Sequence, residues 1–415
     1  MKTNIEKKFL DTRAGQEAND ILRACVHCGF CTATCPTYQL LGDELDSPRG
    51  RIYLIKEILE GKAPSEATQR HLDRCLTCRS CESTCPSGVK YGRLVDIGRD
   101  IVEKNVPRPL IDRIKRNTLN AVIPKRTIFR SLLTVGKLAK PILPSTLQKK
   151  IPATEKIKYS WPNRVHERKM LLLDGCVQPA LAPNINIATA RILDRIGISL
   201  VPISSVECCG AVTYHLNKQK ESLEQIKNNI DLWWPAIEDG AEAIVITASG
   251  CGTMVKEYGH ILSDDPRYAE KAKTVSAITM DLSEVIQKES DHIEQHVFQT
   301  VKQNPNRLKR VAFHSPCSLQ HGQQIKGVIE GFLSAAGFTL TTIEDPHLCC
   351  GSAGTYSLLQ TEISADLLKN KISSIEKGDP QIILTANIGC LTQLQSGTQV
   401  SVMHWAQFLE ESLAN

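Results

Sequence analysis

The stretch Cys25-Val26-His27-Cys28-Gly29-Phe30-Cys31-Thr32-Ala33-Thr34-Cys35-Pro36 returns fifty residues later as Cys75-Leu76-Thr77-Cys78-Arg79-Ser80-Cys81-Glu82-Ser83-Thr84-Cys85-Pro86. Both runs have the form C-x-x-C-x-x-C-x-x-x-C-P. A cubane iron-sulfur cluster needs four thiolates converging on four irons. Three cysteines spaced by two residues can wrap three corners from one tight loop, and the fourth must come from elsewhere. The competing reading is a pair of zinc sites, but zinc usually joins two separated C-x-x-C units. Three closely spaced cysteines followed by Cys-Pro, twice over, favour the cluster.

In two-cluster ferredoxins the fourth cysteine of each run ligates the other run's cluster. The same arrangement here assigns one [4Fe-4S] cluster to Cys25, Cys28, Cys31 and Cys85, and a second to Cys35, Cys75, Cys78 and Cys81. Each run then contributes to both clusters and brings them close together. The prolines after Cys35 and Cys85 turn the chain away.

Outward from the runs, residues 16–104 read as an all-α, helical ferredoxin-like domain preceded by a tail at 1–15. Between the runs, Ser47-Pro48 reads as N-cap and first helical residue, Ile52, Leu54, Ile55, Ile58 and Leu59 supply the apolar stripe, and Gly61 ends the helix. A second helix, Ser65 to Arg74, leads into Cys75. Residues 105–168 form a basic linker broken by Pro107, Pro109, Pro124, Pro141, Pro144, Pro152 and Pro162. From Lys104 to Lys169 there are 17 Lys and Arg against three acids, a local charge of +14 in a chain of net +5. Ile128, Phe129, Leu132, Leu133, Val135 and Leu138, interleaved with Arg126, Arg130, Lys137 and Lys140, predict one amphipathic helix. The segment reads as an arm that docks an acidic partner or rests on anionic lipid, with a solvated connector as the bland alternative.

From residue 169 the chain repeats itself, as a first unit at 169–290 and a second at 308–415. Cys176 and Cys317 are 141 apart, Cys208 and Cys349 are 141 apart, and Cys251 and Cys390 are 139 apart. Apolar runs at 170–173, 198–203 and 243–248 alternate with helical stretches near 188–195 and 216–237. The second unit does the same with runs at 311–313, 338–343 and 382–386 and helices near 326–336 and 358–375. This alternation predicts α/β units with parallel sheets, and each cysteine follows a strand, where open sheets assemble their sites. Each unit carries one cysteine, a Cys-Cys-Gly and a final cysteine: Cys176, Cys208, Cys209, Cys251, and Cys317, Cys349, Cys350, Cys390. Gly210 and Gly351 permit a positive φ that turns adjacent thiols into one site. Four thiolates suffice for a further metal centre, a cluster or zinc; the alternative is reduced structural thiols at a docking surface. His215, His314, His321 and His347 lie near and receive no role.

Sixteen cysteines in a chain of 415 residues, with no apolar leader in its first 15 residues and no apolar run of spanning length, predict a cytoplasmic chain whose thiols bind metal rather than form disulfides. No G-x-G-x-x-G follows a predicted strand, so no flavin or nicotinamide is expected here. With no recognisable nucleic-acid module, the basic stretch is not read as a nucleic-acid site.

The C-terminal cysteine pattern resembles the cysteine-rich CCG domain of heterodisulfide reductase subunits and related oxidoreductases. It departs from that family's closing C-x-x-C, because Ala248 and Asn387 stand three residues before Cys251 and Cys390. The whole order, with Cys25-Val26-His27-Cys28-Gly29-Phe30-Cys31 and Asp46-Ser47-Pro48-Arg49-Gly50-Arg51, resembles the iron-sulfur subunits of bacterial glycolate oxidase. That resemblance implies an electron-transfer subunit of an oxidoreductase. It implies a flavin-containing partner that oxidises glycolate to glyoxylate, a second FAD-domain subunit, and membrane quinone as acceptor, with the chain cytoplasmic or peripheral on the inner face of the cell membrane. The iron-sulfur subunit of a lactate-type or anaerobic glycerol-3-phosphate dehydrogenase, and a redox sensor or cluster scaffold, are the alternatives.

Overall fold

The Asp46-Ser47-Pro48-Arg49-Gly50-Arg51 segment organises the N-terminal half of the computed structural model, which describes residues 1–140, 154–203, 205–206, 208–303 and 309–413. The Ser47 hydroxyl accepts from the Gly50 N–H at 2.9 Å and Pro48 takes the first helical position. At Gly50 a Cβ would collide with the Glu44 carbonyl oxygen, so only glycine lets the preceding turn lie against the helix. Arg51 then points inward. Its side chain is 1% exposed, with Nη2 3.2 Å from Asp46 and Nε donating to the His71 carbonyl at 2.7 Å. Asp46 also takes His71 Nδ1 at 3.0 Å and Arg74 at 2.8 Å. A buried carboxylate and guanidinium are tolerated because each is fully engaged.

Around this network α1 (Arg13–Ala24), α2 (Pro36–Leu41), α3 (Pro48–Leu59), α4 (Glu66–Asp73), α5 (Ser80–Thr84) and α6 (Tyr91–Asn105) form a mostly helical unit. Its core joins Leu22, Ile55, Leu59, Leu72, Leu94 and Val95. The first 15 residues belong to it: Ile5 is buried in the same core and the terminal ammonium donates to the Cys25 carbonyl at 2.6 Å.

Among its described residues the basic segment holds two helices where one was expected, α7 (Leu110–Val122) and α8 (Arg126–Ala139). Both are tied down. Arg108 and Arg116 converge on Asp73 at 2.6 and 3.1 Å, Arg126 pairs with Asp174 at 2.8 Å, and Phe129 and Leu133 pack against the C-terminal core. Pro141, Pro144 and Pro152 lie outside the described residues.

The C-terminal part contains two four-stranded parallel sheets, ordered β2-β1-β3-β4 and β6-β5-β7-β8. The strands are β1 (Arg168–Leu172), β2 (Ile198–Pro202), β3 (Ile244–Ile246), β4 (Thr279–Asp281), β5 (Arg310–His314), β6 (Thr339–Leu340), β7 (Ile382–Thr385) and β8 (Val402–His404). β6 covers only two residues of the run expected over 338–343. β4 and β8 add an edge strand that the apolar runs did not announce. One core spans both sheets, from Met170 and Leu172 through Phe313 and Leu384 to Trp405 and Phe408. α9 (Asn184–Arg195) of the first unit packs on α10 (Trp405–Leu413) of the second, with Arg191 to Glu410 at 2.5 Å. His404 Nε2 meets the Thr247 carbonyl across the join at 2.9 Å. Among the described residues no helix is long and apolar enough to cross a membrane.

Candidate functional site

Tight loops carry the N-terminal cysteines, and their backbone is unusual in the same way twice. Between Cys25 and Cys31, His27 and Gly29 have φ of 56° and 86°; between Cys75 and Cys81, Thr77 and Arg79 have 53° and 61°. Left-handed conformation costs a non-glycine residue about 1–2 kcal/mol, and a β-branched threonine adopts it rarely. Strain repeated at equivalent positions is a mark of a functional loop. The reversals curl each C-x-x-C-x-x-C around a common centre.

The structure brings Cys25, Cys28, Cys31 and Cys85 to one solvent-open cavity of about 440 Å³, and Cys35, Cys75, Cys78 and Cys81 to a second of about 290 Å³. Pro48, Cys81 and Tyr91 line both, so the cavities share a wall. All eight are free thiols, and the donor set and the room fit a pair of iron-sulfur clusters.

The two cavities differ in surroundings. At the first, Cys28 is exposed, with Val26 and Phe30 exposed beside it. The Cys31 thiol is pushed up to about 11 by burial and then by the neighbouring Cys25. The second is lined by more deeply buried cysteines and is cationic. Burial alone would raise the Cys75 thiol, but the guanidinium groups of Arg51 and Arg99 outweigh it and hold it below the usual thiol range. Arg99 also donates to the Cys75 carbonyl at 2.6 Å and to the Thr77 hydroxyl at 2.8 Å. The Tyr91 hydroxyl donates to Cys75 Sγ at 3.5 Å and the Thr77 N–H at 3.4 Å, while the Thr37 hydroxyl lies 3.3 Å from Cys35 Sγ. Sequence reasoning passed over Arg51, Arg99 and Tyr91. The signal available was Arg51 itself, a charged residue on the inward face of a helix between the two runs.

The C-terminal cysteines gather at the carboxyl ends of the parallel strands, where strand order reverses. Gly210 and Gly351 have φ of 88° and 86°, and their N–H groups donate to Cys208 and Cys349 Sγ, each at 3.4 Å. In the first set, hydrogen bonds from Cys176 and Cys209 hold the Cys208 thiol well below its ordinary value. In the second, Cys317 and Cys349 Sγ are 3.9 Å apart, and Cys350 lies with Cys390 and a ring nitrogen of His314, these three ligand atoms within 4.8 Å of one another. Cys349 and Cys317 share an apolar cluster with Leu76, Cys78 and Tyr356, which joins the second set to the second cavity. Of the other histidines, His321 bridges Ser83 at 2.9 Å and the His347 carbonyl at 3.0 Å, and His215 lies 3.9 Å from Asp96. These are docking contacts between the N-terminal unit and the sheets.

Residues 21–89 match the 4Fe-4S dicluster domain model, and residues 170–256 and 311–395 each match the cysteine-rich CCG domain model. Over 414 residues, covering 100% of this chain and 99% of the relative, the sequence is 54% identical to the glycolate oxidase iron-sulfur subunit of Escherichia coli (strain K12). The chain belongs to the glycolate oxidase iron-sulfur subunit family. A probable glycolate oxidase iron-sulfur subunit of Bacillus subtilis (strain 168) is 30% identical across 99% of both chains. Lactate utilization protein A of Bacillus licheniformis is 25% identical over 250 residues, 58% of this chain and 98% of the relative. Membership makes this an iron-sulfur subunit of an oxidoreductase, with partner subunits in a larger assembly.

Proposed function

We propose that the chain relays electrons from a flavin-containing partner subunit, which oxidises glycolate to glyoxylate beside a second FAD-domain subunit, to membrane quinone. Substrate chemistry lies on the partner. In this reading Cys25, Cys28, Cys31 and Cys85 hold one [4Fe-4S] cluster and Cys35, Cys75, Cys78 and Cys81 the other. The observation that carries it is the crossed gathering of the two runs around two cavities with a common wall. Bound there, such clusters supply reversible one-electron transfer at a potential set by charge, hydrogen bonds to sulfur and exposure. The chain's own groups set those conditions. Arg51 and Arg99 offset negative charge at the second site, and Tyr91 and Thr77 offer donors to its sulfurs. The exposed Cys28 side is where a redox partner can approach.

The same reading keeps the chain cytoplasmic and rests it on the inner face of the cell membrane through α7 and α8. These leave Leu110, Ile111, Ile114, Leu132, Val135 and Leu138 exposed among Arg113, Lys115, Arg130 and Lys137. Amphipathic basic helices of this kind bind anionic lipid in a salt-sensitive way. Similarity to lactate utilization proteins supports a second reading, in which the partner oxidises another 2-hydroxy acid.

Anaerobic iron and acid-labile sulfide analysis with EPR tests the ligand assignment. About eight irons per chain are expected from the two N-terminal clusters, as four per cubane requires. Cys28→Ser and Cys78→Ser should each remove one cluster. In the complex, the double variant should lose quinone reduction while glycolate still reduces the partner flavin. Undiminished quinone turnover in that double variant would defeat the relay.

A further inference from the structure

The two CCG units share one sequence register, fixed by their cysteines and by an equivalent internal hydrogen bond, and they differ at particular positions of it. In each, a serine hydroxyl donates to the carbonyl of the Cys-Cys-Gly glycine: Ser222 to Gly210 at 3.1 Å and Ser364 to Gly351 at 2.9 Å. Seven residues on stands Asn229 in the first unit and Lys371 in the second. Three residues before the leading cysteine stands Leu173 in the first and His314 in the second. Three before the closing cysteine stands Ala248 in the first and Asn387 in the second. At these positions the first unit has no titratable side chain. The second has a nitrogen ligand, a cation and an amide.

These second-unit residues converge on its cysteines. His314 is 2% exposed at the end of β5, and among the described residues its Nε2 has no hydrogen-bond partner. A ring nitrogen of His314 and the sulfurs of Cys350 and Cys390 lie within 4.8 Å of one another. The Asn387 amide donates to Cys390 Sγ at 3.7 Å. Lys371 is 3% exposed and anchored to the Asp345 carbonyl at 2.9 Å, and the Cys349 and Cys350 sulfurs lie close enough to counteract part of the lowering that burial imposes on it. A satisfied core histidine would have a partner on Nε2. Here an unpaired imidazole faces thiols, beside a buried cation able to balance thiolate charge.

We propose that the second CCG unit holds an iron centre of mixed thiolate and imidazole ligation, with His314, Cys350 and Cys390 as ligands. Soft thiolates with an imidazole suit iron or zinc. Iron is favoured by position, because Cys317, Cys349 and Cys78 flank one apolar cluster, so this centre abuts the second N-terminal cavity. As a third relay station it takes one electron from the cluster at Cys78, which is oxidised by one while the iron is reduced from ferric to ferrous, with no bond broken. That relay role rests on the function proposed above; the ligation by His314 does not.

The test uses the full chain purified anaerobically. Pulsed EPR should detect histidine nitrogen coupled to a paramagnetic centre, moved by ¹⁵N-histidine labelling and lost in His314→Leu, the residue the first unit carries at this place. Iron per chain should fall equally in His314→Leu and in Cys350→Ser/Cys390→Ser, with the N-terminal cluster signals retained. His314→Cys should keep the iron and lose the nitrogen coupling. Full iron and unchanged coupling in His314→Leu would overturn the ligation, and zinc in place of iron at this site would overturn the iron assignment and the relay role. Because Cys28→Ser and Cys78→Ser leave His314 intact, failure of the N-terminal assignment reads out separately.

Discussion

Tyr91→Phe isolates a single hydrogen bond to sulfur. Tyr91 is 3% exposed and its hydroxyl donates to Cys75 Sγ at 3.5 Å. The ring is kept, so no cavity opens. Burial and the neighbouring Cys75 push the Tyr91 hydroxyl well above its ordinary value, so it stays protonated and remains a donor across the working pH range. Reduction adds negative charge to the cluster sulfurs, and the bond is stronger in the reduced state. Its removal therefore lowers the potential. One such bond contributes about 0.5–1.5 kcal/mol in all, and the difference between oxidation states is a part of that, about 0.5–1 kcal/mol. At about 2.3 kcal/mol per electron per 100 mV, the second cluster should fall by about 20–45 mV. EPR-monitored potentiometric titration of wild type and variant measures it. An unchanged or raised midpoint refutes the reasoning, and so does an equal shift in the first cluster, whose sulfurs receive no bond from Tyr91.

Asp46→Ala leaves Arg51 buried without its carboxylate and should lower stability by about 3–5 kcal/mol, read as a shift in denaturant midpoint. His404 makes the fold acid-sensitive. Burial holds its imidazole down to about 4 against an ordinary 6.5, outweighing the Thr247 carbonyl that Nε2 meets at 2.9 Å. The folded state therefore binds fewer protons than the unfolded one, so this contribution is present above about pH 6.5 and lost as pH falls toward 4, about 3 kcal/mol in all. Stability measured against pH should show that slope, flattened in His404→Gln. Vesicle flotation should recover the chain with anionic but not neutral lipid, weakened by salt and by Ile111→Asp with Leu138→Asp; equal recovery from neutral vesicles would count against the membrane face.

The cysteine spacing made the sites legible because a cluster imposes its geometry directly on sequence distance. The strand-end cysteines of the C-terminal units were legible through the repeat, for the same reason. What stayed hidden lacked a residue-type signature. Gly29 announces a left-handed turn, but nothing about Thr77 or Arg79 does, although both adopt it. Arg51 reads as a solvated helix charge until Asp46, His71 and Thr37 are seen to satisfy it inside. Strands at Thr279–Asp281 and Val402–His404 are too short to show a period. α7 escaped notice because Arg113, Lys115 and Arg116 dilute its stripe, and Arg116 is buried by an ion pair rather than exposed by its charge.

The N-terminal unit is bound to the sheets by the same loop that wraps the second site. Arg79, left-handed between Cys78 and Cys81, forms an ion pair with Glu257 of the first CCG unit, and Arg93 joins the same carboxylate at 3.3 Å. Despite its burial, Glu257 is held below the usual carboxylate range by these two guanidinium groups. Ser83, two residues before Cys85, meets His321 of the second unit, whose position is fixed by the π-helical turn Ser318–Gly322 directly after Cys317. Tyr356 donates to the Arg74 carbonyl, one residue before Cys75, at 2.9 Å. The Arg79–Glu257, Ser83–His321 and Tyr356–Arg74 contacts thus each join residues within six positions of a cysteine on both sides. Rotation at this interface would displace the sulfurs themselves, so the separation between the second cavity and the C-terminal cysteines is set by covalently adjacent groups and not by a flexible linker. A ferredoxin-like unit tethered only through residues 105–168 would have no such constraint, and tunnelling between its clusters and the sheets would depend on chance encounter.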